Sequence, residues 1–165
     1  WAELREAQTM ALSLPNTGMA CIIDIGEEKD IHPTNKHDVG KRLALNAFKT
    51  TYKLDVVPHG PMFKAMEIKG SKAIISFDEC GKTLVTSDKK SPREFAMAGA
   101  DKKFYRADAK IVGSTIELTC KKVKKPVAVR YAWANNPTVN LFNKEGLPAV
   151  PFRTDDWPGL TLGKK

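Results

Sequence analysis

At 165 residues the chain has room for one large domain, or for one domain and a piece of a second. Its 42% apolar and 28% charged content allows a real globular core, no apolar run approaches the ~20 residues that cross a bilayer, and no signal-peptide pattern opens it. The formal charge of +8 invites a nucleic-acid partner, but the densest basic run, Lys121 to Lys125, has no interleaved aromatics to stack bases and reads as a solvated turn or edge strand.

The chain begins at Trp1 and enters a helical pattern at once, as a piece of a longer protein does, with any export signal upstream. Ala2 to Leu12 predicts a helix with Leu4, Ala7 and Ala11 on one face. The stretch from Leu14 to Gly18 ends it with a proline–glycine turn. Met19 to Gly26 is apolar and β-prone and predicts a short buried strand, followed by the polar loop Glu27-Glu28-Lys29 and the step Asp30-Ile31-His32-Pro33. Thr34 or Asn35 can cap a second helix reaching Tyr52. Val39, Leu43 and Ala47 recur at i, i+4 and i+8, with Leu45, Phe48 and Tyr52 as a second contact line, so the helix is expected to pack on a sheet. Strand, polar loop, helix is how an α/β enzyme presents polar groups at the carboxyl edge of a parallel sheet.

Val56 to Pro61 is a proline–glycine connector and a plausible boundary, dividing the chain into residues 1–57 and 58–165. Beyond it, β-prone runs separated by turns cover 62–68, 72–77, 82–86, 95–98, 104–111, 115–123 and 127–133, the spacing of an antiparallel sandwich. The last run puts Val127, Val129, Tyr131 and Trp133 on one face. The tail from Asn140 to Trp157 reads as ordered loop wrapping a neighbouring surface.

Cys21, Cys80 and Cys120 are an odd number at wide spacing and form neither a zinc pattern nor a disulfide framework. His37 and His59 show no metal-ligand spacing with His32, so no metal and no cofactor is expected. His32 is the candidate for chemistry. A histidine oriented by an acid can act as general base for a serine, and two acids are within reach by sequence, Asp30 in the loop and Asp24 at the strand end. The nucleophile is missing: no serine stands in a Gly-x-Ser-x-Gly elbow or beside a glycine-rich turn.

Asp24-Ile25-Gly26, Asp30-Ile31-His32-Pro33-x-x-Lys36 and Val39-Gly40-x-Arg42-Leu43-Ala44 resemble the last block of SGNH-type hydrolases, and more closely the sialate O-acetylesterase-like carbohydrate esterases. Leu4-Arg5-Glu6-Ala7-Gln8 and Leu14-Pro15-Asn16-Thr17-Gly18-Met19 are similar to the segment preceding that block. The runs Ala128–Trp133 and Gly146–Asp155 are similar to the family's C-terminal portion, so the resemblance extends along nearly the whole chain. It implies a serine esterase that removes O-acetyl groups from sugars, sialic acid or acetylated polysaccharide, in a secreted or periplasmic protein. The serine and the oxyanion-hole residues of such enzymes lie in earlier blocks. This chain would be the C-terminal part, supplying His32 and its acid to the missing N-terminal part. The implied fold is an α/β remnant, the last strand and helices of a flavodoxin-like hydrolase domain over 1–57, followed by an antiparallel β-sandwich domain. The usual acid position, three residues before the histidine, holds Lys29, which leaves the acid role open between Asp30 and Asp24, or the machinery mainly a Ser–His pair. The competing class is a non-catalytic β-sandwich module binding carbohydrate or a protein, with Tyr131, Trp133, Phe152 and Trp157 as a sugar platform; core packing accounts for them more simply if Tyr131 and Trp133 share an apolar face.

Overall fold

The computed structural model describes residues 1–78 and 82–163. Two helices come first, α1 (Ala2–Met10), continued by a 3₁₀ turn over Ala11–Ser13, and α2 (Lys36–Thr50). Ten strands follow among the described residues: β1 (Phe63–Lys69), β2 (Lys72–Phe77), β3 (Leu84–Thr86), β4 (Phe95–Ala98), β5 (Phe104–Arg106), β6 (Asp108–Val112), β7 (Thr115–Thr119), β8 (Ala128–Tyr131), β9 (Leu141–Asn143) and β10 (Phe152–Arg153). Every pairing is antiparallel, in two four-stranded sheets of order β1-β2-β7-β6 and β10-β8-β4-β5 and a two-stranded sheet β3-β9.

Alternation builds the core. In β2, Ala73, Ile75 and Phe77 point inward, opposite Leu118 and Ile116 of β7. In β4, Phe95 and Met97 sit opposite Tyr131 and Val129 of β8. Phe152 joins the sheets, stacked on Phe63 at 4.7 Å and edge-on to Phe77 at 6.3 Å. Each such side chain, fully buried, contributes on the order of 1.5–3 kcal/mol. The β1–β2 and β6–β7 hairpins close through two-residue loops that begin with Gly70 and Gly113, both at positive φ, the conformation that matches the twist of the flanking strands.

The α/β remnant inferred for residues 1–57 does not form. Met19–Gly26, which predicts a buried strand, is not a strand, and no parallel pair exists among the described residues. Strand propensity is realised only by pairing. Here the carbonyls of Met19 and Cys21 accept side-chain bonds from Asn46 and Arg42, and Ile25 turns back onto Ile22. The architecture is mostly antiparallel β, with two short helices preceding the strands.

Other differences have local causes. The run 104–111 breaks at Ala107, whose N–H bonds to Phe95, so β5 and β6 enter different sheets. The tail read as loop contributes β9 and β10, too short to show a period. Ala132 has φ +51, which ends the alternation of β8 and turns Trp133 to the outer face, beside the Arg130 and Arg153 guanidiniums. Tyr131 and Phe152 are core residues, so the four aromatics do not form one platform. Cys80 lies outside the described residues. No helix among the described residues is long and apolar enough to cross a membrane.

Candidate active site

The His32 loop is framed at both ends. Behind it, Asn35 caps α2 by accepting from the Asp38 N–H at 3.1 Å while its amide donates to the Asp38 carboxylate at 2.8 Å. Across the loop, the Glu27 carboxylate accepts from the Thr34 hydroxyl (2.6 Å) and N–H (3.2 Å), closing residues 27–34. Before it, the segment from Gly18 to Asp24 lies against α2. A Cβ on Gly18 would come within 2.6 Å of the Asn46 Cβ, so only glycine permits that approach. The Asn46 amide then ties the Met19 and Pro58 carbonyls together.

Asp30 and His32 are brought together. The Asp30 Oδ1 accepts from the His32 backbone N–H at 2.8 Å and lies 3.0 Å from the ring Nδ1. Both groups are open to solvent, with side chains 77% and 58% exposed for histidine and aspartate. These bonds from the His32 backbone and ring, with Lys36 nearby, hold the Asp30 carboxyl below its ordinary value. At neutral pH the carboxylate is therefore ionised and can only accept, which makes Nδ1 the donor. The neutral imidazole then keeps its lone pair on Nε2, which no described residue contacts through a hydrogen bond.

Asp24 is engaged elsewhere. Both its oxygens are held by the Arg42 guanidinium at 2.6 and 2.7 Å, in a pair only 14% and 8% exposed. The same guanidinium donates to the Cys21 carbonyl at 2.6 Å, and its pKa rises, chiefly through the hydrogen bonds to Asp24. Arg42 and Asn46 are thus the inward side chains of α2, a contribution the helical pattern did not reveal. The available signal was two hydrogen-bonding residues four apart, on a helix face between apolar lines. Burial pushes the Cys21 thiol up to about 11, which removes it as a nucleophile near neutrality. His37 meets Asp38, and His59 bonds to the Gly60 carbonyl, both away from His32. Among the described residues no cluster of His, Cys, Asp and Glu could hold a metal ion.

Next to this loop runs a groove of about 990 Å³ between α1, the 18–33 segment, α2 and the turn at Asn135–Asn136. Asp30, Ile31 and Pro33 line it, with Leu4 and Leu43 on the helix side; His32 is not among its walls. The arrangement offers an oriented imidazole, its Nε2 not hydrogen-bonded by any described residue, beside a partly apolar groove. Among the described residues no serine approaches it closely enough to hydrogen-bond.

No protein-family model and no curated protein matches the chain. A search of solved structures finds the crystal structure of a carbohydrate acetylesterase from Xanthomonas citri, with a TM-score of 0.91 and 47% sequence identity over 95% of this chain. The chain spans 37% of the length of that protein.

Proposed function

We propose that this chain supplies the general base and its acid partner to a serine esterase that removes O-acetyl groups from carbohydrate. The likeness to a carbohydrate acetylesterase at 47% identity supports the reaction class, and the observation that carries the roles is the Asp30–His32 bond at 3.0 Å. In this reading the serine and the oxyanion donors come from polypeptide outside these residues, in agreement with the 37% coverage of that neighbour. The likeness of the Asp30-to-Pro33 block to sialate O-acetylesterase-like SGNH hydrolases supports the finer class, with sialic acid or acetylated polysaccharide as the substrate. The same reading includes a secreted or periplasmic location, because polymeric glycans lie outside the cytoplasm.

The chemistry follows from the tautomer. As the serine oxygen attacks the acetyl carbonyl, His32 Nε2 takes its proton; Asp30 stabilises the imidazolium through Nδ1–H. The proton passes to the sugar oxygen as the C–O bond breaks, leaving an acetyl-enzyme. Water then attacks that ester by the same route and releases acetate. Asp30 is the orienter in this reading, and Asp24 anchors the loop through Arg42.

The test is acetate release from an acetylated glycan by the full-length esterase that contains this chain. His32→Ala should lower kcat on the order of a millionfold, and Asp30→Asn on the order of a thousandfold or more, with unchanged melting. Near-full turnover of a stably folded His32→Ala enzyme would defeat the assignment. The chain alone should show no saturable hydrolysis of an activated acetyl ester; turnover abolished by changing one of its own serines would place the nucleophile inside it.

A further inference from the structure

A second cavity, of about 330 Å³, opens on the outer face of the β10-β8-β4-β5 sheet, lined by Glu94, Ala96, Phe104, Arg106, Arg130 and Trp133 among others. Its volume is at the small end of the range for ligand sites, roughly 300–1,000 Å³. We propose that this pocket binds one pyranose unit of a neutral glycan, with Trp133 and Phe104 as apolar walls for the ring and Glu94 and Arg106 bonding its hydroxyls.

Three independent observations carry this. First, the walls are fixed before any ligand arrives. Asp155 holds Arg130 through two bonds of 2.9 and 2.7 Å, and the Arg130 guanidinium lies 4.2 Å from the Phe104 centroid and 5.4 Å from that of Trp133. Arg153, paired with Glu6 at 2.7 Å, lies 5.3 Å from the Trp133 centroid. Aromatic rings already immobilised lose little freedom on binding. Second, Glu94 and Arg106 line the same pocket, and neither side chain makes an ion pair or hydrogen bond with a described residue. An acceptor and a donor left open beside apolar walls suit a molecule with an apolar ring face and hydroxyls at its edge.

Third, the backbone is strained at this place. Glu94 has φ +66, and its carbonyl accepts the N–H of Ala132, itself at φ +51, immediately before Trp133. A glycine would hold the Glu94 conformation at less cost, yet a carboxylate stands there, and such residues cluster at ligand sites. Charge selects the ligand. Asp155 and Glu6 offset Arg130 and Arg153, and Arg106 is balanced by Glu94, so an anionic sugar would meet Glu94 and a cationic one Arg106. Trp133 and Ala134 line this pocket while Asn135 and Asn136 line the groove beside Asp30, so one short turn joins the two cavities. The choice of sugar over other hydroxylated ligands rests on the esterase reading. The experiment reads binding alone, so its outcome is separate from that of catalysis.

The whole chain should be titrated with cellohexaose, xylohexaose and mannohexaose, and with trigalacturonic acid as the acidic probe, following tryptophan fluorescence and the indole N–H resonances. At least one neutral hexaose should bind saturably and shift the Trp133 indole signal. Glu94→Gln and Arg106→Ala should each weaken it about tenfold or more, the loss expected when a hydrogen bond to a charged partner is removed. His32→Ala should leave it unchanged, and amide spectra of the variants should report an intact fold. Absence of binding by all three neutral probes below about 10 mM, where affinity falls under roughly 3 kcal/mol, would overturn the proposal. So would tighter binding of the acidic probe, or neutral binding indifferent to both substitutions.

Discussion

In β2 the residues turned inward are Ala73, Ile75 and Phe77, while in α2 they are Arg42 and Asn46, with Leu43 and Phe48 facing solvent. The contrast holds for the two whole regions. Residues 58–163 enclose a core running from Ala73 to Phe152 and shared by both four-stranded sheets. Within residues 1–57, Ala2 is the one apolar residue classed as buried; Trp1, Leu4, Met10, Leu14, Ile31 and Tyr52 are exposed. Helix α1 follows the same inversion. Its charged side carries Arg5 to the Ala134 and Asn135 carbonyls, Glu6 to Arg153, and Glu3 to the Leu160 N–H. Apolar burial dominates one region; in the other, hydrogen bonds and ion pairs do most of the holding, with Ile23 alone packed against that core. Exposed apolar side chains concentrated in one region mark an interaction surface, as the proposal of an esterase completed from outside this chain requires.

The largest effect is expected from separating the two regions. A fragment of residues 58–165 should melt cooperatively, whereas residues 1–57 alone should show collapsed amide NMR dispersion, having too little apolar surface to enclose. A cooperative melt of 1–57 would refute the contrast, and with it the proposed boundary at the Val56–Pro61 connector.

Single substitutions should differ between the two regions. Phe95→Ala should destabilise the chain by about 3–5 kcal/mol in chemical denaturation, as cavity formation does. Phe48→Ala, at an exposed position of α2, should stay within about 0.5 kcal/mol. Equal effects would mean that α2 is packed more tightly than its exposure indicates.

Arg42 should be the costly position of the first region. Arg42→Ala strands the Asp24 carboxylate in a nearly enclosed site, a loss of about 3–5 kcal/mol where the first region remains coupled to the rest. Asp24→Asn with Arg42→Met should recover part of it. Hydrogen exchange over Met19–Ile25 is the direct reading, and unchanged protection there would sink the clamp.

The smallest effects are in the pH profile. Burial raises the Asp155 carboxyl, but the bonds and charge of Arg130, the Trp157 N–H and the charge of Arg153 together leave the group below its ordinary value. A depressed carboxylate favours the folded state above the ordinary carboxylate range, and that contribution disappears as pH falls through the folded value. Asp155→Asn should therefore flatten the acid limb of the stability curve. Cys21 works in the opposite direction. Its thiol is raised from 9.0 to about 11, so unfolding gains a deprotonation and stability declines as pH rises through that window. Cys21→Ala should remove this alkaline decline; an identical limb would assign it elsewhere.

Much of this was legible from residues alone. β-prone runs separated by turns marked β2, β4 and β7, and period-two alternation marked β8, because a strand with one face buried repeats every second residue. Thr34 or Asn35 marked the start of α2, since capping is local chemistry, and Asn35 is the one that caps it. Asp30 and His32 are two residues apart, so their contact needed only a turn. What the sequence could not carry was pairing. Met19–Gly26 has a strand's composition but no neighbouring strand here, and its carbonyls turned to Arg42 and Asn46 instead. The Asp24 clamp spans 18 residues and the Arg130–Asp155 pair 25, distances over which no periodicity reports. Trp133 followed the alternation on paper until a single positive φ at Ala132 sent it to the outer face. Local geometry is written in neighbouring residues; which long-range partner satisfies each polar group is decided only when the whole chain has packed.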